Sequence, residues 1–427
     1  MRNQEKGIAT LAVVSGIAMV VALFSVAVIK SGVNEVNKAN NLVELAQDKA
    51  HARASIDCAA GLFKQLGLNP STMVAGDFSD CKSDASTVFG IVDGGSLWTI
   101  SAQHGYATSR FSVRQTSSKA AFRTAGSVEI TGGNSWAPAA GDVVTIDGVQ
   151  YVECTAIVAG GTITIDVGSS AAAFDTLKPI DSSLDCAPTH DTHIAAGSGS
   201  VTDGFGKDMV SNADIESIFE EIFGRPKSEW ESVRSEEGFY VINTGSAITN
   251  KAAVEGCGAA IKTAINGDPA ADPPIGKHDK IWVMGDCMLN GVTHAGDAFQ
   301  SPLVVIQNGI VGANGAIDGF RGTVLQFTVD YPNSNLATSW GKNSGGCADG
   351  AMNALCLELS WSHDSARWAA LPFYFRGGYG VTGSFIVDIP NTTALITGAM
   401  SLGFDEGTFD ELPSSTPKVL KGSFHDL

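Results

Sequence analysis

Hydrophobic and polar positions divide the chain into regions of different period. From Ile8 to Ile29 run 22 residues without a charge, IATLAVVSGIAMVVALFSVAVI, closed by Lys30. As a helix this stretch is about 33 Å long, enough to cross a hydrocarbon core of about 30 Å. Arg2 and Lys6 precede it and favour a cytoplasmic amino terminus. The run exceeds the apolar part of a cleaved secretory signal and continues into helical pattern. Val33, Val36, Val43, Ala46, Ala50 and Ala54 then form a helical stripe among Glu35, Lys38, Glu44, Asp48, Lys49 and Arg53. No Pro occurs before Leu68, and Asn69-Pro70 stops a helix predicted over 8–66. His51 on this helix is expected to be a solvated or packed side chain.

From Gly90 to about Ser200 the period becomes two, the mark of strands. VVTI-DG-VQYV (143–152) predicts a hairpin with Asp147-Gly148 in the turn, and TAIVA-GG-TITIDV (155–167) a second around Gly160-Gly161. Together they predict a three-strand meander. Farther on, Ile215, Ile218, Phe219, Ile222 and Phe223 repeat with helical spacing, with Asn212 as cap and Gly224 and Pro226 as terminators. Glu216, Glu220 and Glu221 form its wet side, and Trp230 and Val233 mark a second short helix. The segments 278–292, 301–327, 378–389 and 393–405 are short apolar strands punctuated by Gly309, Gly312, Gly315, Gly319 and Gly322. That pattern fits stacked, β-helix-like coils, but no strict repeat supports a long regular solenoid.

Composition narrows the function. The chain has 427 residues, 45 Asp and Glu against 27 Lys and Arg, and a net charge of −18. A surface this acidic does not coat duplex nucleic acid. Forty-nine Gly with only 17% charged residues favours turns and strands. Eight Cys, an even number, fit an oxidising compartment. Neighbours in sequence pair as Cys58–Cys81, Cys154–Cys186, Cys257–Cys287 and Cys347–Cys356, one of the 105 pairings open to eight Cys. His190 and His193 with Asp191 are the one closely spaced His pair, but a zinc site needs more ligands than this run supplies. No catalytic motif, metal site or cofactor-binding motif is found, so the chain is expected not to be an enzyme and to carry no metal or cofactor.

MRNQEKG followed at once by the apolar run resembles the type III leader of type IV pilins and pseudopilins. The resemblance implies that a prepilin peptidase cuts after Gly7, that Ile8 becomes the methylated first residue, and that the helix is retained. Ala9, Ala12, Ser15, Gly16, Ala18 and Ala22 suit close helix packing. Most pilins carry Glu at the fifth mature position, where this chain has Ala12. Its absence is similar to the PilX-type minor pilins and to the tip pseudopilin of type II secretion. IWVMGD (281–286), SPLVVIQNG (301–309), MSLGFDEGTF (400–409) and GSFHD (422–426), in that order, also resemble PilX-type proteins.

The expectation is therefore an α+β protein. It comprises a leader at 1–7, a pilin helix at 8–66 with 8–29 spanning the membrane, a β-rich middle at 67–210 with a meander insertion, and an α+β head at 211–427. The implied function is a minor pilin that primes assembly at the filament tip. The alternatives are a tip adhesin for a cell, surface or polymer and a type II secretion tip pseudopilin. Implied partners are other minor and major pilins through the helix, the prepilin peptidase, the inner membrane before assembly, and a surface or host ligand. The implied location is the inner membrane, then the extracellular pilus.

Overall fold

The computed structural model describes residues 4–66, 73–93, 97–114, 119–168, 173–215, 217–245, 250–292, 301–315, 317–331, 334–340, 342–343, 346–347, 355–356, 365–405, 418–419 and 425–426. The expected α+β class holds: a long helix leads into strand-rich structure cross-linked by disulfides. The chain divides into two compact units, residues 1–115 with 416–427, and residues 116–415. The first boundary falls inside the 67–210 region of the sequence-based division.

The first unit is built on one 63-residue helix, Gln4–Leu66, about 95 Å long. Among its described side chains the buried ones are Asp48, Ala52, Ser55, Ile56, Ala59, Ala60 and Phe63, a single face with spacings of three and four. The predicted stripe is not that face. Val33, Val36, Val43, Ala46, Ala50 and Ala54 are all exposed, because the sheet meets the helix only over its last five turns. Asn69-Pro70, the expected stop, lies outside the described residues. Three antiparallel strands, Val88–Asp93, Leu97–His104 and Ala107–Arg114, form the sheet. Short strands Lys418–Val419 and His425–Asp426 add to its third strand. Trp98, Ile100 and Ala102 alternate inward opposite Phe111 and Val113, and meet Ile56, Ala59 and Phe63 of the helix.

The second unit is a stack of three-sided coils. Each coil turns through strands such as Phe122–Thr124, Ser127–Thr131 and Asn134–Ala137, and pairs in parallel with the coil above and below. Down one side the inward column reads Tyr240, Ile281, Val304, Val324, Phe385, Phe122, Ile157, Met209. A second side stacks Val311, Phe373, Ala394, Val128 and Ile163. The columns expose the stacking order. The coil that comes first in the chain, beginning at Phe122, docks on the coil that comes last, beginning at Phe385. The chain stacks outward from there to Met209 and resumes at the far end with Tyr240.

Two local elements differ from their sequence readings. Asp147 (φ 50°) and Gly148 (φ 80°) turn the expected hairpin, Ala139–Ile146 with Val149–Thr155. Gly160-Gly161 closes no hairpin, so the meander does not form. Ile157–Ala159 and Ile163–Asp166 lie on different sides of one coil, each parallel to a strand below. A Cβ at Gly160 would sit 2.5 Å from the Ala125 carbonyl, and one at Gly161 2.3 Å from Ser127 Oγ. The glycines are required by the coil beneath, not by a turn. The helix after the return is Ile218–Phe223, capped by Ser217, whose Oγ accepts from the Glu220 amide at 3.2 Å. Asn212, the predicted cap, sits upstream in the left-handed region at φ 53°.

The outer face of the first side is covered too. Phe219 packs on Trp282 and Phe327, and its amide donates to buried Asp388 Oδ2 at 2.7 Å. Lys227 Nζ pairs with Asp388 Oδ1 at 3.0 Å. Strands buried on both faces explain why Leu303–Gln307 is a continuous apolar run closed by one Gln rather than an alternating one. At one end the helix Cys257–Asn266 plugs the stack. Its Ile261 shares an apolar void of about 10 Å³ with Leu289, Val304, Val324 and Phe385, room for about one water at most. Cys257–Cys287 ties that plug to the coil, Cys154–Cys186 ties the hairpin to the following loop, and Cys58–Cys81 belongs to the first unit. Cys356 is also disulfide-bonded; its expected partner Cys347 has a side chain outside the described residues.

Candidate functional site

Among the described residues, Val13 to Ile29 of the long helix form a long surface that water cannot solvate well. From Val13 to Ile29 every large apolar side chain is exposed by more than half, including Val20, Val21, Leu23 and Phe24. The segment Val13–Phe63 contains an 18-residue window of mean hydropathy 2.3, none of it buried. An apolar surface carried all round a helix has no dry face to turn inward, so it requires lipid or other helices around it. The side chains of Gly7, Ile8 and Ala12 lie outside the described residues, though all three fall on the helix. Beyond Ile29 charges return, with Lys38 pairing to Glu35 at 3.2 Å. One continuous rod therefore has a bare apolar stretch, an exposed middle that carries charges, and a last part from Asp48 onward that packs as the spine of a small sheet.

His190, Asp191 and His193, the closely spaced pair set aside above as too poor in ligands for zinc, face different partners. Buried His190 uses Nδ1 on Thr189 Oγ1 at 3.0 Å, while exposed His193 pairs with Asp175. Asp191 is raised above the usual carboxylate range by burial and by Asp208 beside it. Among the described residues, the one group of three His, Cys, Asp or Glu with ligand atoms within 4.8 Å is His51, Asp84 and His104. His51 comes from the helix, Asp84 from the segment after Cys81, and His104 from the second strand. The sequence carries no short motif for them, since each arrives from a different element.

In this cluster His104 lies between two carboxylates. Nδ1 faces Asp48 Oδ1 at 3.0 Å and Nε2 faces Asp84 Oδ2 at 2.7 Å. The His51 ring stacks on it at 4.7 Å between centroids. Hydrogen bonding to Asp84 chiefly raises the His104 pKa above its usual 6.5, against some desolvation, with Asp48 adding to the rise. Asp84 is held well below the usual carboxylate range, mainly by the Ser86 hydroxyl at 2.6 Å and then by His104. The signs set a window. The raised His104 pKa contributes stability that is whole below about pH 6.5 and is lost as pH rises through the folded value. The lowered Asp84 pKa contributes stability present above about pH 3.8 and lost as pH falls from there. In chelator-treated protein, thermal melts of the first unit should hold steady between pH 4 and 6.5 and decline above it. His104→Gln should remove that decline; an equal decline in the variant would contradict the assignment.

No protein-family model matches the chain, and no curated protein is detectably similar to it. Among solved structures, the competence-associated pilin ComZ from Thermus thermophilus aligns with 89% of this chain and 97% of that chain. Identity is 10% and the TM-score 0.22, a level at which the superposition carries no argument about shared architecture.

Proposed function

We propose that this chain is a minor pilin of a type IV pilus, acting in priming and at or near the filament tip. The observation that supports the reading is the rod itself. A bare apolar stretch suits first a membrane and then a bundle of like helices, while the last five turns are packed on the folded part the rod would carry outward. The leader ending at Gly7 supports retention of the rod after cleavage, with Ile8 as the methylated end. Ala12 in place of Glu leaves no carboxylate to neutralise a neighbour's terminal amine, and an unpaired buried amine is costly. A subunit at the tip has no neighbour above it, so this one fits there better than within the shaft. The partners on this reading are other pilins, the prepilin peptidase and the inner membrane, and the role is structural rather than catalytic.

One observation favours an added adhesive role. The hairpin 139–155 stands off the coil stack and exposes Val143, Ile146 and Val149. On that second reading, shortening the hairpin leaves piliation normal and reduces attachment. The leader is tested by Gly7→Val. Wild-type protein from sheared filaments should begin at methylated Ile8 by mass spectrometry, and the variant should retain residues 1–7 and stay in the envelope. A wild-type chain that keeps its first seven residues, or a variant trimmed normally, would overturn the reading. Immunogold on sheared pili places the subunit at the tip or along the shaft.

A further inference from the structure

We propose that His51, His104 and Asp84 form a zinc site that fastens the long helix to the segment and strand beside it. The proposal rests on the first unit alone and is independent of the pilin reading. Asp48, His51, Ser55 and Cys58 share one helix face, at spacings of three, four and three. The segment after Cys81 runs along that face as the partner side of a ladder. Its first rung is the Cys58–Cys81 disulfide. Its second is the Ser83 amide donating to Ser55 Oγ at 3.0 Å. The third rung would join His51 to Asp84. His51 makes no hydrogen bond among the described residues, and its ring contact is the stack on His104. Both its ring nitrogens remain available for a ligand.

The support behind His104 is built in the manner of a metal-binding histidine. Asp48 is buried and takes the Nδ1 side of the ring, which directs Nε2 towards Asp84 and His51. A carboxylate on the far nitrogen fixes the tautomer and the ring angle of a ligating imidazole. Asp48 is itself held, its Oδ2 accepting from the Tyr106 amide at 3.0 Å. The turn allows this approach only because residue 105 is glycine. At φ 53° a Cβ there would lie 2.1 Å from Asp48 Oδ2. A buried carboxylate, a glycine that makes room for it and an oriented imidazole together exceed what a chance surface pair requires.

The donor set selects the ion. Two imidazoles and one carboxylate suit zinc and its neighbours, whereas calcium and magnesium prefer all-oxygen sites. Zinc bonds of about 2.0–2.1 Å in a tetrahedron place ligand atoms about 3.4 Å apart. The present atoms lie within 4.8 Å of one another, and exposed His51 and Asp84 can close the gap by side-chain rotation. Three protein ligands leave a fourth position for water. When the metal binds, it replaces the proton on His104 Nε2, which is released to solvent, and it engages His51. The helix is then tied at three successive rungs.

The test is calorimetric titration of zinc ion into chelator-treated full-length protein in detergent, with thermal melts in parallel. Wild type should bind one zinc per chain with micromolar or tighter affinity and melt higher with zinc present. His51→Asn should weaken binding by at least about tenfold while its zinc-free circular dichroism and melt stay at wild-type values. Asp48→Asn should weaken it similarly through the ring it orients. His193→Asn, outside the cluster, should bind as wild type. Absence of a one-to-one event, unchanged affinity in His51→Asn, or loss of the event in His193→Asn would each overturn the assignment.

Discussion

Alanine at Gly383 is expected to unfold the larger unit or to lower its melting temperature by about 6 °C. Gly383 adopts φ 143°, a conformation side chains rarely tolerate, in register with Gly322 at φ 145° in the next coil. A Cβ on Gly383 would lie 1.9 Å from the Gly322 carbonyl oxygen, and one on Gly322 would lie 2.4 Å from that of Pro302. The clashing atoms are backbone, fixed by the same parallel ladder, so neither coil can yield without breaking pairs on both sides. We expect a loss of about 4 kcal/mol, in the tail of single-substitution effects that signals a named clash. For a unit of this size that is about 6 °C. Gly148→Ala supplies the contrast. Its φ is 80° but nothing lies within 4 Å of the added carbon, so the cost should stay near 1 kcal/mol. Differential scanning calorimetry of both variants decides it; equal melting temperatures would refute the stacked-glycine account.

Two aspartates in the bare stretch of the rod, Val20→Asp with Val21→Asp, should release the protein from membranes. Adjacent positions lie about 100° apart round a helix, so both cannot turn to one protected side. A carboxylate near the centre of a bilayer costs about 2.5–3.5 kcal/mol on insertion scales. Two therefore shift partitioning by about four orders of magnitude if independent. Alkaline carbonate extraction should leave wild type in the pellet and move the double variant to the supernatant, with circular dichroism of the folded units unchanged. A double variant that still resists extraction would show that the exposed apolar surface is not what holds the chain.

Local pattern carried some elements well. The charge-free run and the absence of Pro define the long helix, Asp147-Gly148 defines its hairpin, and Gly224 ends its short helix at φ 70°. Each depends on residues a few positions apart. Features set by a partner distant in sequence are not legible in this way. The valines at 33, 36 and 43 looked like the packing stripe, but the sheet lies farther along and takes Ala52, Ile56 and Phe63 instead. Gly160-Gly161 looked like a hairpin turn because a pair of glycines reads the same at a coil corner. The coils are legible as β-helix-like strands, but without a strict period, because the hairpin 139–155 and the helices Ser334–Ser339 and Ser365–Ala369 interrupt their spacing. Their order in space also departs from their order in sequence.

By itself the amino-acid order determined the rod, the strand-rich character of the rest and the acidic surface, since these follow from the period and sign of neighbouring side chains. Only the tertiary structure decided that Phe122 stacks on Phe385, and that His51, Asp84 and His104 converge. Parallel pairing and ligand convergence join positions with no fixed separation along the chain. Their energy comes from burying one coil against another and from orienting one ring with a distant carboxylate, and neither leaves a period in the sequence.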